Sequence, residues 1–74
     1  MKKQVSNFNV GDIVSWMEDG WNHVVGKVIG KDSEGVSILA TSLTFGSECC
    51  DGVFLPNDYP VTKFQSPVPQ ILND

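Results

Sequence analysis

The sequence predicts an all-β fold, a small, strongly bent antiparallel barrel of five strands. Three observations lead to this class. Glycine, Asx and proline residues divide the 74-residue chain into short β-prone segments, with turn signals roughly every 8–12 residues. No helical pattern extends over ten residues anywhere. Two glycines interrupt the longest predicted strand, which is expected where a strand must bend sharply.

Turn-forming residues bound each predicted strand. Asp19-Gly20 supplies the positive φ angle of a tight turn after the first strand. The segment "DSEG", with Gly35 at its end, makes the next turn, and the prolines of "PNDYP" close the turn before the last strand. The predicted strands cover residues 10–17, 21–31, 36–45, 53–55 and 61–64.

Gly26 and Gly30 lie inside the second predicted strand and need a physical explanation, because glycine weakens a strand. A five-stranded barrel has to coil its longest strands. Glycine permits the bulge and the close crossing of strands that such coiling requires. The two glycines therefore favour a barrel over a flat sheet.

The chain divides into one domain with two short flanks. Residues 1–9 form an N-terminal arm that has no helix or at most a single helical turn. Residues 10–65 form the barrel, and residues 66–74, which contain two prolines, form an extended tail. A domain of this size buries only about 60% of its unfolded surface, so oligomerisation is the expected source of added stability.

The charge balance restricts the function. Nine acidic residues stand against five basic ones, all of them lysine, and the formal net charge is −4. Affinity for nucleic acid comes largely from phosphate neutralisation, for which arginine is favoured. The chain is therefore a poor general nucleic-acid binder, and any such function has to use a local patch.

The sequence indicates a cytoplasmic protein without a cofactor or a metal. The N-terminus lacks the apolar core of a signal peptide, and no run has the length of a membrane span. The only cysteines, Cys49 and Cys50, are adjacent, which disfavours a disulfide between them and suits a reducing compartment. One histidine and this pair cannot supply the four spaced ligands of a zinc site.

No residue pattern predicts an enzyme. His23 is the only histidine, and no catalytic triad or carboxylate pair accompanies it in the sequence. The loop acids Glu48, Asp51 and Asp58 do not match the spacing of a calcium loop. We expect these side chains to be solvated and the protein to be non-catalytic.

Two segments resemble the motifs of a known family. The spacing from Gly26 through Asp32 to Leu39, with an apolar residue two positions to each side of Gly26, resembles the first motif of Sm-like proteins. This group includes the LSm proteins and bacterial Hfq. The strands at 53–55 and 61–64, joined by a turn, are similar in shape to the second motif. The resemblance spans residues 10–64. The nearest group is the short acidic Sm-like proteins of marine phages, which implies a bacterial or phage-infected host cell.

The resemblance implies RNA binding, but the positions that bind uracil have changed. In the family, a stacking side chain and an asparagine hold the base, assisted by an Arg-Gly pair. Asp32 is retained, and the base-binding positions match Glu34, Val36, Pro56 and Asn57. Valine cannot form hydrogen bonds with a base edge, and a carboxylate repels phosphate. The architecture carries over, and the uridine pocket is largely missing.

The candidate RNA-binding residues combine turn aromatics, strand lysines and the retained motif positions. Lys27 and Lys31 lie on one strand face about 13 Å apart by strand rise, so they could contact separate phosphates of one strand. Aromatic side chains beside turns could stack on bases. The candidates are Trp21, Lys27, Lys31, Asp32, Asn57, Asp58 and Tyr59.

The resemblance also implies assembly. In Sm-like proteins the fourth strand of one subunit pairs with the fifth strand of the next, and this head-to-tail contact closes into a ring. The expected partners are copies of the same chain, in a ring of about five to seven subunits, and single-stranded RNA, without a membrane. The candidate interface residues are Val53, Phe54, Leu55, Val61, Thr62, Lys63 and Phe64.

Two other interpretations stay open. The segments "FNVGDIVSW" and "VGKVIGKD" resemble the opening of Tudor-type and KOW-type domains, which implies a protein-interaction adaptor, acting on a host factor if the gene is viral. The acidity also fits an inhibitor or adaptor that mimics nucleic acid.

Overall fold

One strongly curled sheet of antiparallel strands makes up the chain, which confirms the predicted all-β, bent-barrel class. The computed structural model describes residues 2–46, 50–65 and 70–72, and these contain six strands and two short 3₁₀ turns. The spatial order of the strands is β1-β6-β2-β3-β4-β5. The strands are β1 (Lys3–Gln4), β2 (Ile13–Glu18), β3 (Asn22–Lys31), β4 (Gly35–Ser42), β5 (Asp51–Pro56) and β6 (Pro60–Lys63).

The five predicted strands are present with shifted bounds, and β1 is an additional strand. β1 pairs antiparallel with β6, where Lys3 lies opposite Val61. A single 3₁₀ turn, Val5–Asn7, follows it. Val5 and Phe8 are buried in the core, so these residues of the predicted N-terminal arm are part of the barrel. A two-residue strand has no periodicity of its own, which is why the sequence did not predict it.

The core lies on the concave face of the sheet. Alternate residues of β2, β3 and β4 point to this face, as the period of two in a strand requires. Val5 and Phe8 close it from the N-terminal side, and Val53 and Tyr59 pack against it from the edge. The buried apolar residues of this cluster are Val5, Phe8, Val14, Trp16, Val24, Val28, Val36, Ile38, Ala40, Leu55 and Val61.

The two glycines of β3 bend the strand in different ways. A Cβ atom at Gly26 would collide with Cγ2 of Ile38 on the neighbouring strand β4, so only glycine leaves room for the Ile38 side chain to lie over β3 at this point. Gly30 adjoins a bulge, because the β3–β4 register shifts between Val28 and Gly30 and leaves Ile29 as the extra residue. The predicted bulge is thus present, and at Gly26 the glycine makes room for a neighbouring side chain instead of for a crossing strand.

The turn between β2 and β3 has the predicted conformation. Asp19 and Gly20 have φ angles of 56° and 80°, and the Trp21 amide donates a hydrogen bond to the Glu18 carbonyl at 3.2 Å. Both central residues are left-handed, as a tight hairpin turn requires.

The C-terminal segment returns to the sheet. Residues Gln70–Leu72 form a 3₁₀ turn that contacts β4, and Leu72 is buried. This part of the predicted extended tail is therefore a packed turn. The remainder of the tail, like Cys49, lies outside the described residues, and Cys50 is a half-buried free thiol.

Replacing Gly26 with alanine tests the close packing of the Ile38 side chain over β3. We expect Gly26→Ala to lower the free energy of unfolding by about 1–3 kcal/mol, because the new methyl group overpacks the contact with Ile38. Urea denaturation at one protein concentration measures the change.

Gly30→Ala is the matched control. The nearest atom to a Cβ at Gly30 is Cβ of Ser37 at 3.8 Å, an ordinary van der Waals contact. The control is expected to change the free energy of unfolding by less than about 1 kcal/mol. Equal effects of the two substitutions would contradict the explanation that Gly26 is needed to leave room for Ile38.

Candidate functional site

Two turns meet at one end of the barrel. The β4–β5 pairing continues to Gly35 opposite Pro56, so the β3–β4 turn and the β5–β6 turn emerge side by side. Asn57 Nδ2 donates a hydrogen bond to the Ser33 carbonyl at 3.0 Å and links them. We call residues 31–34 and 56–59 the two-turn site. It brings together the segments that the sequence identified as the two motifs.

Asp32 shapes the first of these turns. Its Oδ1 accepts hydrogen bonds from the amides of Glu34 at 2.8 Å and Gly35 at 3.0 Å, and its own amide donates to the Gly35 carbonyl. A short carboxylate that bonds to the backbone two and three residues ahead is typical of an Asx turn. A Cβ at Gly35 would collide with the Leu55 carbonyl oxygen and with the Phe54 ring. The segment "DSEG" thus defines the turn locally and allows β5 to lie close to it.

The N-terminal segment joins the same site. Lys31 Nζ donates a hydrogen bond to the Ser6 carbonyl at 2.8 Å, and the Ser6 amide donates to the Asn57 carbonyl at 3.2 Å. The ammonium group that the sequence suggested for phosphate binding is therefore already engaged with a backbone carbonyl. It remains at the surface, because Lys31 is exposed.

The positions that match the family's base-reading residues are unsuited to that role. Val36 is fully buried in the core. The two-turn site carries three exposed carboxylates, those of Asp32, Glu34 and Asp58, and a single ammonium group, that of Lys31. A negative surface of this kind attracts phosphate weakly.

Tyr59 points inward from the second turn. Its ring packs against the core and meets the Trp16 ring edge-to-face, with centroids 6.2 Å apart. The Tyr59 amide donates a hydrogen bond to the Pro56 carbonyl at 3.0 Å and closes the turn. Tyr59 is half-buried, so only part of its surface is accessible to a base.

The remaining two RNA-binding candidates lie elsewhere. Trp21 is at the opposite end of β3, roughly 30 Å from Lys31 by strand rise. Lys27 lies halfway along β3, half-buried between Ile13 on β2 and Leu39 on β4. The prediction that Lys27 and Lys31 share one strand face was wrong, because the bulge at Ile29 shifts Lys31 to the face of the core residue Val36. Five of the seven candidates therefore share the two-turn site, and Trp21 and Lys27 do not.

The candidate interface residues fall on two strands with different surroundings. β5 is an edge strand of the sheet, with Phe54 exposed, Val53 half-buried and Leu55 buried. β6 lies between β2 and β1, and Val61 is buried in the core. Three further candidates lie on or just after β6. Thr62 and Phe64 are half-buried, and Lys63 is exposed.

β1 covers part of the β6 edge that a neighbouring subunit would need. Lys3 pairs with Val61, Gln4 pairs with Pro60, and the Val5 amide donates to the Tyr59 carbonyl at 2.9 Å. Among the described residues no strand lies on the outer side of β5, whereas the β6 side of the expected strand contact is occupied by the chain's own N-terminus.

A groove between β2 and β6 was not anticipated from the sequence. β6 pairs with β2 only at Ser15–Thr62 and Val14–Lys63, and beyond these pairs the strands diverge. The resulting groove has a volume of about 250 Å³ and is lined by Lys2, Ser15, Trp16, Met17, His23, Tyr59, Pro60, Val61 and Thr62. The position of Pro60, which cannot donate to a strand ladder, is the sequence signal for the divergence.

A second groove lies at the end of the barrel opposite the two-turn site. It has a volume of about 300 Å³ and is lined by Glu18, Asn22, Val24, Ala40, Thr41, Ser42, Phe45, Asp51 and Val53. Trp21 stands beside it, edge-to-face with Phe45. The sequence predicted that Trp21, beside a turn, could stack on bases. It did not predict that Phe45, 24 residues later, is its neighbour, because that contact depends on the hairpin register.

Residues 2–46, 50–65 and 70–72 contain neither a cluster of metal ligands nor a membrane-spanning helix. No group of three or more His, Cys, Asp or Glu side chains there could hold a metal ion. No helix in that part of the chain is long and apolar enough to cross a membrane.

Comparison of the chain with models of known protein families, with curated proteins and with solved structures gave no match. Function is therefore inferred from the chain's own residues.

An alanine substitution tests whether the Asp32 carboxylate stabilises the β3–β4 turn of the two-turn site. We expect Asp32→Ala to lower the free energy of unfolding by about 0.5–1.5 kcal/mol, because two turn amides lose their acceptor. Asp58→Ala, in the neighbouring turn and also exposed, should change it by less than about 0.5 kcal/mol. Thermal and urea denaturation measure both variants, and a larger loss in Asp58→Ala would contradict this assignment.

Proposed function

We propose that the chain is a non-catalytic protein of the Sm-like type that assembles into a homo-oligomeric ring and holds single-stranded RNA. The observation that carries the proposal is the meeting of the two motif segments. Gly35 pairs with Pro56, and Asn57 bonds to Ser33, so the two turns form one surface. Its setting would be the cytoplasm of a bacterial or phage-infected cell.

The composition of the two-turn site implies weak and salt-sensitive RNA binding. Lys31 is its one cation, against three carboxylates in the same two turns. Backbone groups and the Asn57 amide supply the remaining polar contacts. We propose that a ring compensates for this weakness, because several linked sites bind one strand more tightly than a single site does.

The open edge of β5 supports the assembly. An edge strand with an exposed aromatic side chain, Phe54, offers both unpaired backbone groups and apolar surface to a neighbour. β6 is covered by a strand of only two residues, Lys3–Gln4. We propose that a neighbouring β5, which is longer, displaces β1 from β6 when the ring closes.

Assembly can be measured by size-exclusion chromatography with light scattering. We expect an oligomer in the full chain and a stronger one after deletion of residues 2–4, because the deletion frees the β6 edge. Phe54→Lys should shift the equilibrium toward monomer, since a charged side chain at a sheet edge opposes strand addition.

Phe45→Lys is the matched control for that substitution. Phe45 is 67% exposed and Phe54 is 52% exposed, so both variants add one charge at an exposed aromatic position. The control should leave the oligomer unchanged. A monomeric full chain, or equal loss of the oligomer in both variants, would refute assembly through β5.

RNA binding can be measured with labelled oligo-U and oligo-A across a salt series. We expect Asp58→Lys to tighten binding roughly three- to tenfold at low salt, because it adds a phosphate contact at the two-turn site. Asp51→Lys makes the same charge change at the other end of β5 and should have less than about a twofold effect. The absence of binding at low salt, or equal effects of the two variants, would contradict RNA binding at the two-turn site.

A protein-interaction adaptor is the second candidate function. It is favoured by one observation, the exposed Trp21–Phe45 pair beside an acidic groove, far from the two-turn site. An adaptor would bind a protein partner whether or not the chain forms a ring, so the RNA measurement, and not the assembly measurement, separates the two candidates.

A further inference from the structure

Two exposed aromatic rings stand together at the β2–β3 end of the barrel. Trp21 is 56% exposed and Phe45 is 67% exposed, and their ring centroids lie 5.5 Å apart at an interplanar angle of 82°. Exposing two large aromatic side chains to water is unfavourable, and neither belongs to the core cluster. Their position therefore calls for an explanation beyond folding.

A set of hydrogen bonds fixes the backbone that carries the two rings. Thr44 Oγ1 accepts a hydrogen bond from the His23 amide at 2.9 Å and lies 3.4 Å from the Trp21 carbonyl, to which it donates. The Phe45 amide donates to Ser42 Oγ at 3.2 Å, and that hydroxyl donates to Asn22 Oδ1 at 2.5 Å. The aromatic pair is thus held in place although it is exposed.

The adjacent groove combines an apolar floor with two carboxylates. Val24, Ala40 and Val53 supply aliphatic surface, and Glu18 and Asp51 supply the charges. Among the lining residues that the structure describes there is no lysine. A ligand that fits these features has an aliphatic stem and a cationic head.

We propose that this groove, which we call the aromatic–acidic groove, binds a lysine or arginine side chain from an extended segment of a partner protein. The stem lies along the apolar floor, and the ammonium or guanidinium group contacts the Phe45 ring and the carboxylates. A cation over an aromatic face is attracted by the ring quadrupole, more strongly when carboxylates are also close. The net charge of −4 favours the approach of a basic partner.

Nucleic acid is the less favoured occupant of this groove. Aromatic rings can stack on bases, but a strand that followed Trp21 and Phe45 would bring its phosphates next to Glu18 and Asp51. A protein segment has no such repulsion. Because the groove lies at the end of the barrel opposite the two-turn site, the proposal does not depend on RNA binding there.

The test is a nuclear magnetic resonance titration of the full chain with short peptides. The chain has two tryptophans, so two indole N–H signals report separately on buried Trp16 and exposed Trp21. The probes are the peptide amide Gly-Ser-Lys-Ser-Gly and its analogues with arginine, norleucine or glutamate at the centre. We expect saturable shifts of the Trp21 signal with the lysine and arginine peptides, weakening with salt, and none with the other two.

Matched variants locate the site. Phe45→Ala should weaken binding of the lysine peptide at least about threefold, and Phe54→Ala, at an exposed phenylalanine on β5 away from this groove, should leave it unchanged. The double variant Glu18→Gln with Asp51→Asn keeps the aromatic pair and removes both charges. It should also weaken binding, and its amide spectrum shows whether the fold is retained.

Three outcomes would overturn the proposal. Equal shifts with the norleucine peptide would indicate simple apolar contact. Unchanged binding in the charge-removing double variant would exclude a role for the carboxylates. Shifts of the Trp21 signal with oligo-U and none with the lysine peptide would assign the groove to nucleic acid.

Discussion

The close contact between the β3 backbone at Gly26 and the side chain of Ile38 is the constraint on which the rest of the structure depends. The part of this 74-residue chain that the structure describes has no helical layer, so its sheet encloses a core by curling over its own apolar face. Gly26 permits that curl because it leaves room for the Ile38 side chain, and the bulge at Ile29 increases the curl. The concave face then closes around Val24, Val28 and Ile38.

The curl also determines where chemistry can occur. β3 runs from one end of the barrel to the other, so the turn before it and the turn after it present different surfaces. The two-turn site combines Asp32 and Asn57 with the N-terminal segment. The aromatic–acidic groove combines Phe45 with Glu18 and Asp51. Because the interior is filled by core side chains, both candidate sites lie on the rim, where side chains can vary without disturbing the fold.

The distribution of charge distinguishes the two surfaces. At the two-turn site, the Lys31 ammonium group is bound to the Ser6 carbonyl and competes with nearby carboxylates for any phosphate. At the opposite rim, carboxylates and aromatic rings favour a cation. An acidic chain without arginine is better suited to the second kind of partner than to the first, unless assembly multiplies weak contacts. Assembly in turn depends on the competition between β1 and a neighbouring β5 for the edge of β6.

Local chemistry made the all-β class and the turn at Asp19-Gly20 predictable, because both follow from residues adjacent in sequence. The glycines of β3 predicted a bend in that strand, whereas the contact of Gly26 with Ile38 needed the fold. The meeting of the two motif segments was implied by their resemblance to a family, and their bonding through Asn57 needed the fold. β1, the return of Leu72 to the sheet and the Trp21–Phe45 pair were decided by tertiary structure alone. These features join segments that are distant in sequence, and their contacts depend on strand register and curvature, which no short stretch of residues encodes.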